Sequence, residues 1–116
     1  MLWRRRRQFR PRVEIDFAGV RRVREDGAVE QVSWDDLAEV RLLAAPGTRA
    51  WPQDIGYVLI ANDAGECVVP LVFADEYFLN RLQSLPSFDN AALIAGMTTT
   101  SPATFRLWRA RTPEPG

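Results

Sequence analysis

The chain has 116 residues, with 15 basic and 15 acidic side chains, no histidine and 47% hydrophobic residues. That length and hydrophobic share describe one domain able to bury its own core, and they exclude a disordered chain. Every basic residue is an arginine, and without imidazole neither a Ser-His-Asp nor a Cys-His catalytic arrangement can form.

The first twelve residues carry six arginines (Arg4, Arg5, Arg6, Arg7, Arg10 and Arg12) and no acid. Residues 13–103 hold six arginines against 14 carboxylates, and residues 104–116 return a charge of +2. A basic arm over 1–12 therefore precedes an acidic domain over 13–109, with 110–116 read as a disordered tail. A block of arginines repels itself and stays unfolded unless an anion orders it. With Trp3 and Phe9 beside it, the arm is read as a solvated tail, as a contact to an anionic membrane, or as a contact to nucleic acid. The acidic body argues against nucleic acid. The residues for an anionic surface are Trp3, Arg4, Arg5, Arg6, Arg7, Phe9 and Arg10.

Val13, Ile15 and Phe17 alternate with Glu14 and Asp16, the period-two signature of a half-buried strand. Ala18-Gly19 reads as a turn or bulge, Val20 to Arg24 as a more exposed strand, and Glu25-Asp26-Gly27 as a turn. Val29 to Val32 resumes the meander. Ser33 caps a short helical turn, with Asp35 and Asp36 at its positive end and Trp34 and Leu37 directed into the core. The chain re-extends from Val40 to Ala44, and Pro46-Gly47 opens a loop to about Gln53.

Ile55 to Ala61 is expected as a central strand, Asn62 to Gly65 as a hairpin loop, and Cys67 to Val72 as its return. Pro70 demotes that end to a sheet edge or bulge. Asp75 caps a helix to about Leu85, with Phe78, Leu82 and Leu85 on one stripe, and Pro86 stops it. Asp89 caps a second helix over Asn90 to Met97, with Phe88 stapled onto Leu93. Thr98 to Pro102 is a linker, and Ala103 to Trp108 a last strand. The predicted class is α+β: an antiparallel sheet of six to seven strands, as a roll or half-barrel, with two short C-terminal helices.

The step from Val32 through Trp34 to Leu37, between strands and ahead of a helix, resembles bacterial pleckstrin-homology-like and GRAM-like domains over about residues 13–85. A second stretch of helix and a strand after Pro86 depart from that pattern. Four stretches are also similar to a group of small bacterial proteins without an assigned activity: Val32 to Leu37, Asp54 to Ile60, Gly65 to Pro70 and Leu82 to Asn90. Neither resemblance implies an enzyme.

No apolar run approaches the ~20 residues needed to cross a bilayer, and no apolar segment follows the basic start, so the expected location is the cytoplasm or the inner face of its membrane. The single cysteine, Cys67, sits in an apolar run as a small buried hydrophobe. No spacing matches a metal loop or a phosphate-cradling glycine turn, so no cofactor and no catalysis are expected. The function expected is binding, with another protein as partner, met through the acidic face and the Trp51 loop (Arg49, Trp51 and Asp54). Trp51 reads either as an exposed anchor, since Trp and Arg are over-represented in interface hot spots, or as a lid over one end of the sheet. One version is an immunity or antitoxin protein, whose acidity would block a basic toxin site. Open strand edges add a homodimer as a further expectation.

Overall fold

The computed structural model describes residues 10–45 and 55–111. Seven strands form two antiparallel sheets. The first is a meander of β1 (Arg12–Ile15), β2 (Gly19–Val23) and β3 (Val29–Ser33). The second contains β4 (Leu37–Ala44), β5 (Ile55–Ala61), β6 (Glu66–Pro70) and β7 (Ala103–Arg109), in the order β6-β5-β4-β7. Helices α1 (Glu76–Gln83) and α2 (Asn90–Thr98) lie in the chain between β6 and β7.

The α+β class and the two helices agree with the sequence, but the strands divide into two sheets and do not close into a barrel. The division has a local cause. Where β3 meets the outer edge of β6, the Glu30 carboxylate accepts the Val68 N–H at 2.9 Å. A side chain thus takes the place of a backbone rung, and the ladder stops there. Pro70, which has no N–H, ends the same edge.

Capping follows the sequence closely. Ser33 Oγ accepts from Asp36 N–H in a 3-10 turn over Trp34–Asp36, Asp75 caps α1 through Phe78 N–H, and Asp89 caps α2 through Ala92 N–H. Helix α1 ends at Gln83, earlier than Leu85, because Ser84 and Leu85 turn their N–H groups back onto Asn80 and Leu82. β4 starts at Leu37, before Val40, with a bulge between Leu37 and Glu39. Phe17 does not continue the first strand. Asp16 Oδ1 accepts from both Ala18 and Gly19 N–H, which turns the chain and leaves Phe17 87% exposed.

The core lies between the four-stranded sheet, the inner face of the meander and α1. Val40, Leu42, Tyr57, Leu59, Cys67, Val69 and Leu107 meet Phe78 and Leu82 with no measurable exposure beyond 1%. Tyr57 packs edge-on to Phe78 at 5.2 Å between ring centroids. Trp34 joins the two layers: its Nε1–H donates to Asp16 O at 2.7 Å, while the Arg81 guanidinium stacks over its ring at 4.9 Å. Trp108 is half-buried and donates to Pro86 O at 2.9 Å, which pins the inter-helix segment to β7. Both indoles find internal acceptors.

Gly19 opens β2 opposite Ser33. A Cβ there would lie 2.4 Å from the Val32 carbonyl oxygen and 2.7 Å from Ser33 Cα, so only glycine lets β2 and β3 approach so closely.

Candidate functional site

Opposed residues in an antiparallel meander share a face. The register places Ile15, Val20 and Val32 in one row, and Val13, Arg22 and Glu30 in the next row of that face. The first row is apolar and faces the core. The second is where the meander lifts off the edge of β6, and its polar side chains line an open groove of about 670 Å³.

Three arginines, Arg12, Arg22 and Arg24, stand in the wall of this groove, and Val68, Pro70, Val72 and Phe73 form its apolar floor. Glu30 holds its centre. Arg22 Nη1 reaches both Glu30 oxygens at 3.4 Å, and Arg24 Nη1 lies 3.9 Å from Oε2. One carboxylate therefore serves two guanidinium groups and the Val68 N–H. The Arg24 side chain is 50% exposed against 24% for Arg22, so Arg24 is the loosely held partner. Arg12 shares Glu14 with Arg21, at 3.2 and 3.0 Å, and those two guanidinium groups hold the exposed Glu14 carboxyl below its ordinary pKa, the Arg21 hydrogen bond being the larger cause.

The rim is set by the β2–β3 turn. Asp26 Oδ1 accepts the Ala28 N–H at 2.9 Å, Arg24 and Ala28 close the turn through their backbones, and Gly27 takes the positive φ of 87° it needs. Asp26 and Glu25 also line the groove. Counting its lining alone, three arginines meet three carboxylates. Pro11 and Arg12 line the groove, and the preceding residue, Arg10, is exposed.

Of the residues the sequence singled out, Trp3, Arg4, Arg5, Arg6, Arg7 and Phe9, and also Arg49, Trp51 and Asp54, lie outside the described residues. Their points of attachment are described. β5 begins at Ile55, directly after Asp54, and its second residue, Gly56, pairs with Pro70 of the groove floor. The arm and the 46–54 loop therefore both join the fold at the groove end of the molecule. Most of the acidic turns sit at the other end: Asp16, Asp35, Asp36 and Asp63 are grouped there by the bonds of Trp34 to Asp16 and Ala18 and of Asn62 to Asp36.

Sequence reading did not find the groove. Its signal was present in the spacing of Arg22 and Arg24, which alternate onto one side of a strand, and in Glu30 across an Asp-Gly turn.

Two nucleophilic groups, Cys67 and Tyr57, are buried. Cys67 is fully buried, its Sγ 3.8 Å from Glu30 O, and burial pushes its thiol up to about 12. Burial likewise raises the Tyr57 hydroxyl to about 12, and that hydroxyl has no partner among the described residues. Among the described residues, no three of Asp, Glu and Cys are placed to hold a metal ion, and no helix is long and apolar enough to cross a membrane. A second hollow of about 580 Å³ lies beside Trp108, between Pro86 and the pair Arg109 and Arg111. No protein-family model matches the chain, and no curated protein or solved structure matches it.

Proposed function

We propose that this chain is a non-catalytic interaction module that meets another protein through the arginine-walled groove. The observation that supports this reading is positional. Among the described residues, the groove that combines three arginines with an apolar floor lies where Arg12 opens β1 and Ile55 opens β5, the first strand residues after the arm and after the Trp51 loop. The groove therefore adjoins the described points at which both segments join the fold. Arginine presents a rigid, permanently charged fork, which suits recognition of carboxylates on a partner. The pleckstrin-homology-like resemblance of the strand–Trp34–strand step fits the same role, with the two sheets as an open form of the roll. An immunity- or antitoxin-like use is one form of this reading, in which the acidic body of the chain would cover a basic toxin site.

The test is affinity capture from the native host with the wild-type chain and with the double variant Arg12→Glu, Arg24→Glu. Both sites are exposed, so the variant keeps its circular dichroism spectrum and melting temperature. One defined partner retained by the wild type and lost by the variant supports the reading. Equal retention by both removes it.

The exposed Arg10-Pro11-Arg12 entry favours a second reading, peripheral attachment to an anionic membrane through the arm. It requires salt-sensitive flotation with phosphatidylserine vesicles that is lost when residues 1–10 are deleted.

A further inference from the structure

The groove already contains one bound carboxylate, and it is the protein's own. Glu30 shows how the site holds an acid: two guanidinium groups on one side and a backbone N–H from the β6 edge at 2.9 Å on the other. Arg24 is only loosely engaged in this arrangement, at 3.9 Å and half exposed, and Arg12 stands in the same wall. Beside them the floor offers Val72, 60% exposed, and the half-buried Phe73. Charge and hydropathy are thus interleaved within the groove.

Resting on the interaction-module reading, we infer that the groove takes a short extended segment of a partner protein in which acidic and apolar side chains alternate. Alternation sends successive side chains of an extended segment to opposite sides, so acids turn to Arg24, the arginine held most loosely and away from Glu14, while apolar groups settle on Val72 and Phe73. The chain's own arm does not meet this requirement, because Arg4 to Arg7 would face Arg22 and Arg24 with like charge. Glu30 competes with the incoming acid for Arg24, so it limits affinity.

The experiment is fluorescence anisotropy with labelled acetyl-Glu-Val-Glu-Val-Glu-Val-amide, compared with the same peptide carrying Gly for Val and with one carrying Lys for Glu. The Glu-Val peptide binds, and each substituted peptide binds about tenfold more weakly or not at all. Arg24→Gln and Val72→Asp, both at exposed positions, each weaken the Glu-Val peptide about five- to tenfold, whereas Glu30→Gln tightens it. Equal binding of the Glu-Gly peptide, or indifference to Arg24→Gln, overturns the inference. If no peptide binds while Arg12→Glu, Arg24→Glu still abolishes capture of the natural partner, the interaction module stands and the extended acidic segment falls.

Discussion

The two sheets solve the same problem by different physics. The four-stranded sheet of β4–β7 is held by apolar burial, with Val40, Leu42, Tyr57 and Leu59 sealed under Phe78 and Leu82. The meander of β1–β3 buries only Val20, Val23 and Val32 fully, and its surface is laced by Arg12–Glu14, Arg21–Glu14 and Arg22–Glu30. The exposed pairs of Glu14 with Arg12 and Arg21 contribute little, so the meander depends on a few tight contacts, chiefly Gly19 against β3, Trp34 against Asp16 and the part-buried Glu30 on Arg22 and Val68 N–H. The lesson is a division of labour. One sheet supplies the stability, and the other is left free to present charge.

Phe78→Ala is the sharpest way to break that contrast. It empties the space between Trp34, Tyr57 and α1, and it should cost about 4 kcal/mol with cooperative loss of both sheets in a denaturant titration. Gly19→Ala attacks the meander alone. Its Cβ meets backbone and not a movable side chain, so a loss of about 2–3 kcal/mol is expected, with amide-exchange protection lost in β2 and β3 before β4 and β5.

Alkaline pH acts through two buried groups of the four-stranded sheet. Cys67 and Tyr57 both have raised folded-state values of about 12, above ordinary values of 9.0 and 10.0. In that window the unfolded chain releases protons that the folded chain retains, so stability is complete below about pH 9 and falls as pH rises toward 12. Chemical denaturation at stepped pH checks this, and Cys67→Ala should flatten the lower part of the fall. Tyr57→Phe removes a buried hydroxyl that has no partner among the described residues, so it should stabilise by about 1 kcal/mol at neutral pH and flatten the upper part. The smallest effect belongs to the meander's surface. Glu14→Gln should leave the melting temperature unchanged in any salt concentration, because its two arginine partners are exposed with it.

Local structure was legible because each element is punctuated by side chains with one strong local use. Ser33, Asp75 and Asp89 cap as expected, and Asp16, Asp26 and Asp63 form the turns around their own backbones. Phe17 was misread for the same kind of reason. Period-two alternation ran on through it, but Asp16 bends the backbone one residue earlier. Partition into two sheets was not legible, since it turns on Glu30 reaching Val68 across 38 positions of sequence. The groove shares that origin. Arg22 and Arg24 read as an ordinary exposed strand until Val68, Pro70 and Phe73 are brought beside them.

The place of β7 has a consequence for synthesis. β4 lies in the middle of its sheet, yet one of its two neighbours is the strand made last among the described elements, with Leu42 opposite Phe105 and Ala44 opposite Ala103. While the chain is still emerging from the ribosome, β4 displays an unmatched row of donors and acceptors above an apolar face. Any ribosome that stalls, or any stop codon that falls, after α2 therefore releases a sticky fragment, and quality control has to deal with it as such.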